Sequence, residues 1–436
     1  MKYNQKMNRQ ILLAFLIFTL FCSQYGSVYA QNKKSEINVQ ESIKFETDKI
    51  FEKLVQIRRE LHENPELAGK EKRTQEFIQK YLSDLGFQIE TNIYGYGVVG
   101  ILKGAKKGKK IGWRADMDAL PNDFEDKSDF KSKIKGVQHG CGHDVHMAIA
   151  LGIAEILAKN KQALHGTVYF IFQPEEETFV GAKKFIENQL FAKLKLDEIY
   201  ALHVTALPAG KIVVKQNEMF AYQTEIGIEL KNALSAEEAK ELTSKIRHSL
   251  VRTHNGSKPW EIQSIVDPQI GITNPNTIFK DYLIADENFR TYTKNGTFHL
   301  KGEIYETDSA RLKKIIPTVE QVLKDNNYGS QIISVKFIKE NPTVLNNPDL
   351  TKASINTINS VYGKGFVETD YGQVPYFNDD FAYFQQKIPG VYFLLGGSNF
   401  EKGIIAMNHA PNFDVDEECM RTAVRTFSSV LFERGK

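Results

Sequence analysis

The chain holds only 3 cysteines in 436 residues. That scarcity excludes a disulfide-knitted fold, because stapled scaffolds need several bridges. Cys22 falls beside an N-terminal apolar run, so an exported mature chain would keep Cys141 and Cys419 alone. Cys141 lies among glycines and histidines, whereas Cys419 follows Glu417 and Glu418 in a helical pattern. Two unpaired thiols are expected, one functional and one buried. An excess of either charge is also missing, since 56 basic and 54 acidic residues leave a formal +2. Nucleic-acid binding asks for a concentrated basic face. The one dense basic stretch, Lys103–Lys110, reads as a solvated turn between strands. The chain also lacks an internal repeat, a Walker loop and a G-x-G-x-x-G segment behind an early strand.

The run Ile11–Phe21 (I-L-L-A-F-L-I-F-T-L-F) is short for a membrane span. Lys2, Lys6 and Arg9 precede it, and Val28 and Ala30 follow in S-V-Y-A-Q. This is the signal-peptide pattern, with cleavage expected after Ala30. The protein is therefore expected to be exported, periplasmic or secreted, with no stable membrane insertion after signal removal. A lipoprotein anchored at Cys22 is the alternative. Thr19-Leu20-Phe21 suits it poorly, because a small residue normally precedes a lipidated cysteine.

The length favours two domains. Residues 41–85 read as two helices interrupted at Asn64-Pro65 and stopped at Gly86. Strands are expected at Val98–Leu102 and Lys110–Trp113, paired across the Lys/Gly turn. Val145–Lys159 reads as a helix, Gly166–Phe172 as an apolar strand, Gly181–Asn188 as a helix and Ile199–Val204 as a strand. Strands alternating with helices indicate an α/β sheet covered on both faces. The pattern then changes. Thr224–Leu230 alternates like a half-buried strand, and Ser235–Arg252 and Asp308–Leu323 read as helices. Near Pro342 the chain returns to the first domain, with a helix at Leu350–Tyr362, a buried strand at Val391–Leu395 and a closing helix at Glu417–Phe432. The expected division is a signal peptide over 1–30, a first domain in two parts over 31–216 and 336–436, and an α+β insertion over 217–335.

Four separated segments carry polar residues just beyond apolar strands: Gly112–Pro121, His139–His146, Phe170–Glu177 and Tyr200–Val204. In open α/β sheets such loops converge in one crevice. Asn408-His409-Ala410-Pro411 supplies a further histidine. Thiolate, imidazole and carboxylate together form a metal-binding set. Glu176 and Glu177 are adjacent, so one can ligate while the other receives a proton. Plainer readings stand beside these. Glu175–Glu177 suits a solvated helix start, Asp116 and Asp118 suit a turn, and Arg114 can pair with either aspartate. A Cys141–His143 protease leaves the glutamate pair unexplained.

Taken together the motifs resemble the M20 metallopeptidase family, and within it the amidohydrolase branch of hippurate hydrolases, N-acyl-amino-acid deacylases and auxin-conjugate hydrolases. Arg114–Pro121 (R-A-D-M-D-A-L-P), His139–His146 (H-G-C-G-H-D-V-H), Phe172–Glu177 (F-Q-P-E-E-E), His409–Glu417 (H-A-P-N-F-D-V-D-E) and Arg58–Glu66 match its motifs in order. The resemblance implies a zinc-peptidase-like α/β/α catalytic domain with a smaller inserted α+β lid domain. It implies two divalent metal ions, zinc or manganese first and cobalt or nickel next, held by Cys141, His143, Glu177, His203 and His409, with Cys141 as bridge. Glu176 would be general base and acid in amide hydrolysis by activated water. Asp118 would orient a ligand from behind the site, with Asp116 in a similar place. The implied substrates are N-acyl amino acids or short peptides, and a homodimer through the lid is a further implication. An aminopeptidase or dipeptidase of the same family, and a metal-stabilised binding protein without catalysis, are the competing readings.

The lid departs from the family pattern. The G-x-G-x-H segment corresponds to Gly227–Leu234, without a histidine, and Tyr305 stands where the family has an arginine. S-E-D-F becomes Asn378–Phe381, N-D-D-F. These positions normally grip substrate or close the site. Arg252 and His254 are candidates to compensate, beside a reading as ordinary surface residues of a helix end.

Overall fold

The computed structural model describes residues 39–287 and 289–436. The expected signal peptide and Cys22 lie outside the described residues. The larger sheet has eight strands, in the spatial order Gln88–Thr91, Val98–Lys103, His165–Gln173, Lys106–Asp116, Glu198–Pro208, Gly390–Ser398, Ile212–Val214 and Val367–Thr369. From His165–Gln173 to Gly390–Ser398 the neighbours run parallel. Such strands are covered on both faces, which explains their near-continuous apolar sequences. Val168, Phe170 and Phe172 enter one apolar cluster, while Tyr169 and Ile171 enter the other. Successive side chains of a strand point to opposite faces, so one run feeds two cores.

On one face lie the helix over residues 39–63, His143–Lys159 and Glu418–Arg434. His143–Lys159 is buried from His143 to Leu157, as befits a helix apolar on all sides. On the other face lie Gly181–Glu187, Gln189–Leu194 and Phe381–Gln385, packed through Phe185, Phe191 and Phe384.

The two strands flanking the Lys/Gly turn are not neighbours. His165–Gln173 lies between them. The turn is a crossing point, not a hairpin. The Gly104 N–H donates to the Gly166 carbonyl at 2.9 Å, and that of Lys106 to Leu164 at 3.2 Å. A Cβ on Gly104 would stand 2.3 Å from the Leu164 oxygen, and one on Gly166 would stand 1.9 Å from the Lys109 oxygen. Only glycine lets the backbones approach this closely, and Gly166 also has φ +70°. The intervening apolar strand thereby gains ladder partners on both edges, as buried backbone requires.

A second sheet is antiparallel, in the order Arg290–Lys294, Thr297–Glu306, Tyr222–Leu230 and Ile332–Glu340, with Leu283–Ala285 also paired to Thr297–Glu306. Helices Ala236–Leu250 and Ser309–Asp325 cover one face of it, with Leu242, Ile246, Ile315 and Val319 over Ile226, Ile228 and Leu230. Ser235 and Glu238 form a reciprocal capping box at the first helix, and Asp308 caps the second. This lid is not held by its two chain crossings alone. Ile272, Phe279, Tyr282 and Tyr305 share an apolar cluster with Phe220, Val374 and Tyr392, and the Tyr282 hydroxyl donates to the Gln373 carbonyl.

Candidate metal centre and cleft

Six polar side chains from four chain segments meet at the ends of the parallel strands. Cys141 sits in a loop whose Gly142 has φ +99°, and a Cβ there would lie 2.3 Å from Val204. Glycine thus lets the loop close onto the neighbouring strand. His143 opens the buried helix, and His203 stands within Glu198–Pro208. Glu176 and Glu177 are placed by Asp118, whose two carboxylate oxygens accept their backbone N–H groups, each at 3.0 Å. His409 is tied by its N–H to the Gly140 carbonyl at 2.9 Å. Asn408 beside it donates to the carbonyls of Cys141 and Val204, at 2.9 and 3.0 Å.

The donor atoms of Cys141, His143 and His203 lie within 4.8 Å of one another, and so do those of Cys141, Glu177 and His409. Cys141 belongs to both groups. His143 donates through Nδ1 to the Asp118 carbonyl at 2.7 Å, and its buried Nε2 has no hydrogen-bond partner. His203 donates through Nδ1 to the Val204 carbonyl at 2.8 Å, leaving Nε2 3.4 Å from the Cys141 sulfur. His409 Nε2 lies 3.2 Å from that sulfur and 3.2 Å from Glu177 Oε1. An imidazole fixed through one nitrogen with the other left free is the arrangement a metal ligand needs. The neighbouring group Asp116, His143 and His146 is different. Asp116 is taken by His146 Nδ1 at 2.6 Å and Arg114 at 2.5 Å, and His146 Nε2 accepts the Val204 N–H at 2.9 Å. Asp116 therefore braces the wall behind the donor set.

Electrostatics point the same way. Burial works against a charge on His143, yet Asp116, Asp118 and Glu177 push its pKa up to about 10. Burial, together with Glu177 and Glu176, drives the Cys141 thiol well above its ordinary value. Burial and the repulsion of Asp379, Glu177 and Asp380 also raise Glu176, against the pull of Arg114. The pocket is short of positive charge, and a cation among these groups would favour their metal-binding protonation states. The donor set fits divalent metal ions.

Behind Glu176 lies a buried network of which the sequence offered only the pairing of Arg114 with a nearby aspartate. The guanidinium of Arg114 donates to Gln173 and Asp116, and also to Asp379 at 3.1 Å and Asp380 at 2.9 Å. Asp379 accepts the Tyr392 hydroxyl at 2.7 Å. Asp379 and Asp380 thus face the protein interior under Arg114. Asn378 alone of N-D-D-F lines the cleft. Its two aspartates drew notice only as a departure from S-E-D-F, because a sequence does not show which strand end a distant arginine reaches. Arg252 pairs with Glu306 at 2.8 Å, and neither it nor His254 lines the cleft. Cys141 and Cys419 are both free.

The donor set opens into a cleft of about 600 Å³. Several of its residues hold left-handed backbone without being glycine: Phe179 at φ +58°, Tyr376 at +68° and His409 at +58°. Such conformations are costly for bulky side chains and gather at functional sites.

The comparisons agree with this geometry. Residues 112–433 match peptidase family M20/M25/M40. The chain belongs to this family and is a hydrolase. It is 32% identical over 391 residues to thermostable carboxypeptidase 2 of Saccharolobus solfataricus, covering 87% of this chain and 95% of that protein. It is 30% identical over 397 residues to N-acetyldiaminopimelate deacetylase of Lactobacillus helveticus, covering 87% and 97%. Among solved structures, the Bacillus subtilis YXEP protein, described as a dinuclear metal-binding peptidase of the M20 family, superposes with a TM-score of 0.70 at 25% identity, covering 89% of this chain and 99% of that one.

Proposed function

We propose that the chain hydrolyses the amide bond of N-acyl amino acids or short peptides, outside the cytoplasm, with two divalent metal ions. The observation that carries this reading is the pair of donor groups joined at Cys141 with a buried carboxylate beside them: Glu176 lies 3.8 Å from His143 Nε2. Cys141, His143 and His203 would hold one ion, and Cys141, Glu177 and His409 the other. Ions held there supply Lewis-acid chemistry. Glu176 takes the proton of the attacking water and delivers it to the leaving nitrogen. Burial and neighbouring carboxylates make Glu176 a ready proton acceptor. Asp118 keeps both glutamates in register by holding their backbone N–H groups. A carboxypeptidase and a deacetylase among the relatives support amide chemistry at an amino-acid substrate. The basic, apolar and small-residue pattern of residues 1–30 supports export.

The test is a panel of N-acyl amino acids and dipeptides, assayed with the signal-free protein before chelation, after it, and after return of zinc, manganese or cobalt. Loss on chelation and metal-restored release of one product class is expected. Unchanged turnover after complete metal removal would overturn the reading. The mass of the exported protein reports cleavage after Ala30.

A further inference from the structure

The cleft has two unlike walls. One carries Cys141, Glu176, Glu177, His203 and His409. The other includes Gln223, Lys339 and Asn341 from the second sheet and the strand end that leaves it.

Lys339 is the one lysine or arginine lining this cleft among the described residues. No carboxylate of the described residues forms an ion pair with it. Its cross-strand partner Glu225 is held instead by Arg290 at 2.8 Å. The Lys339 ammonium stands 5.9 Å from the centre of the Phe179 ring, near enough for attraction to the ring face.

The amide side chains that line the cleft are neutral, and each already makes at least one hydrogen bond. Asn341 donates to Gln223 Oε1 at 3.2 Å, and Gln223 donates to Glu303 at 3.4 Å. Asn378 donates to the Pro342 carbonyl and accepts the Asp379 N–H. Asn408 spends its amide on two backbone carbonyls. The positive charge offered to an anion on this wall is therefore that of the Lys339 ammonium. Phe179, Phe220, Tyr376, Phe377, Leu394 and Met407 give the cleft an apolar and largely aromatic lining.

We infer that Lys339 reads the free carboxylate of the substrate, so that the chain acts on amides whose leaving amine is an apolar or aromatic amino acid with its carboxylate free. This rests on the hydrolase reading proposed above. It selects N-acyl amino acids and C-terminal peptide bonds over substrates recognised by a free N-terminal ammonium, which Lys339 repels.

The experiment compares N-benzoyl-phenylalanine with its carboxamide, in the metal-loaded wild type, Lys339→Met and Lys339→Arg. A hydrogen bond between charged groups predicts that wild type favours the acid by about tenfold to hundredfold in kcat/KM. Lys339→Met should bring the acid down to the carboxamide, mainly through KM, and Lys339→Arg should restore most of the preference. Equal loss on both compounds, or an undiminished preference in Lys339→Met, would overturn the inference. Lys339 is exposed, so thermal melting of the variants should match wild type. The same two compounds are titrated calorimetrically into Glu176→Gln with and without Lys339→Met. An acid preference that disappears with the lysine supports the inference even where no turnover is found, and that outcome would sink only the hydrolase reading. Equal binding of acid and carboxamide to Glu176→Gln overturns the inference itself.

Discussion

Replacing Glu176 by glutamine separates chemistry from architecture. The side chain is buried, and its Oε1 accepts the Asp380 N–H at 3.4 Å. Glutamine has the same shape and keeps an acceptor oxygen there. The hydrogen bonds to Asp118 come from the backbone of residues 176 and 177, so they survive the exchange. The charge itself is unwelcome in the fold, because burial and the carboxylates of Asp379, Glu177 and Asp380 raise the Glu176 pKa. Removing it should leave the melting temperature of the metal-free protein unchanged or higher. A positioned general base contributes about 10²–10⁴ in rate. That range corresponds to about 2.7–5.4 kcal/mol on the barrier. The expected result is a kcat lower by that factor in a variant with wild-type metal content. Elemental analysis and steady-state kinetics on one preparation decide it. A fully loaded Glu176→Gln enzyme within about threefold of wild type, far inside the range for a general base, would refute the assignment.

Cys141→Ala removes the atom common to both donor groups and should weaken metal retention by at least about tenfold to hundredfold, the loss expected even for disturbing an outer partner. Equilibrium dialysis against a chelator measures this, and wild-type occupancy would count against ligation. Arg114→Met strands Asp116, Asp379 and Asp380 in the interior without their cation. About 3–5 kcal/mol of destabilisation is expected from urea unfolding, and a loss under about 1 kcal/mol would mean the network is dispensable. Burial opposes the charge of Asp126, but hydrogen bonds from His62 and Ser128 outweigh it and hold its pKa well below the ordinary range. Its stabilisation is therefore present above the unfolded value of about 4 and is lost as pH falls through the lower folded value. Asp126→Asn should flatten the fall in melting temperature below about pH 4, and an identical acid slope would contradict the sign.

Local grammar was legible in the sequence. Ser235 at a helix start, Gly86 at a helix end and the long apolar run of Val145–Lys159 mark elements through short-range physics, and the structure places helices there. The metal-binding character of the centre was legible because its residue types are rare and chemically distinctive. Pairing across the Lys/Gly turn was not. A strand that follows another across a short turn is its obvious partner until a third strand, much later in the chain, proves to need both edges covered. Lys339 was equally hidden. Nothing in F-I-K-E-N-P distinguishes a solvated lysine from one standing over a cleft. The difference lies in which strand faces the donor set across space.

The donor set is dispersed along the chain in a way that bears on when the centre can form. Cys141, His143, Glu177 and His203 come from the first half of the sequence, while His409 arrives near its end, after the whole lid. A ribosome releasing this chain in order exposes four of the five groups long before the last. The second donor group stays incomplete through that interval. Under the ligand assignment proposed above, a chain stopped before residue 409 would lack one donor of the second group, so that group would be completed only late in synthesis.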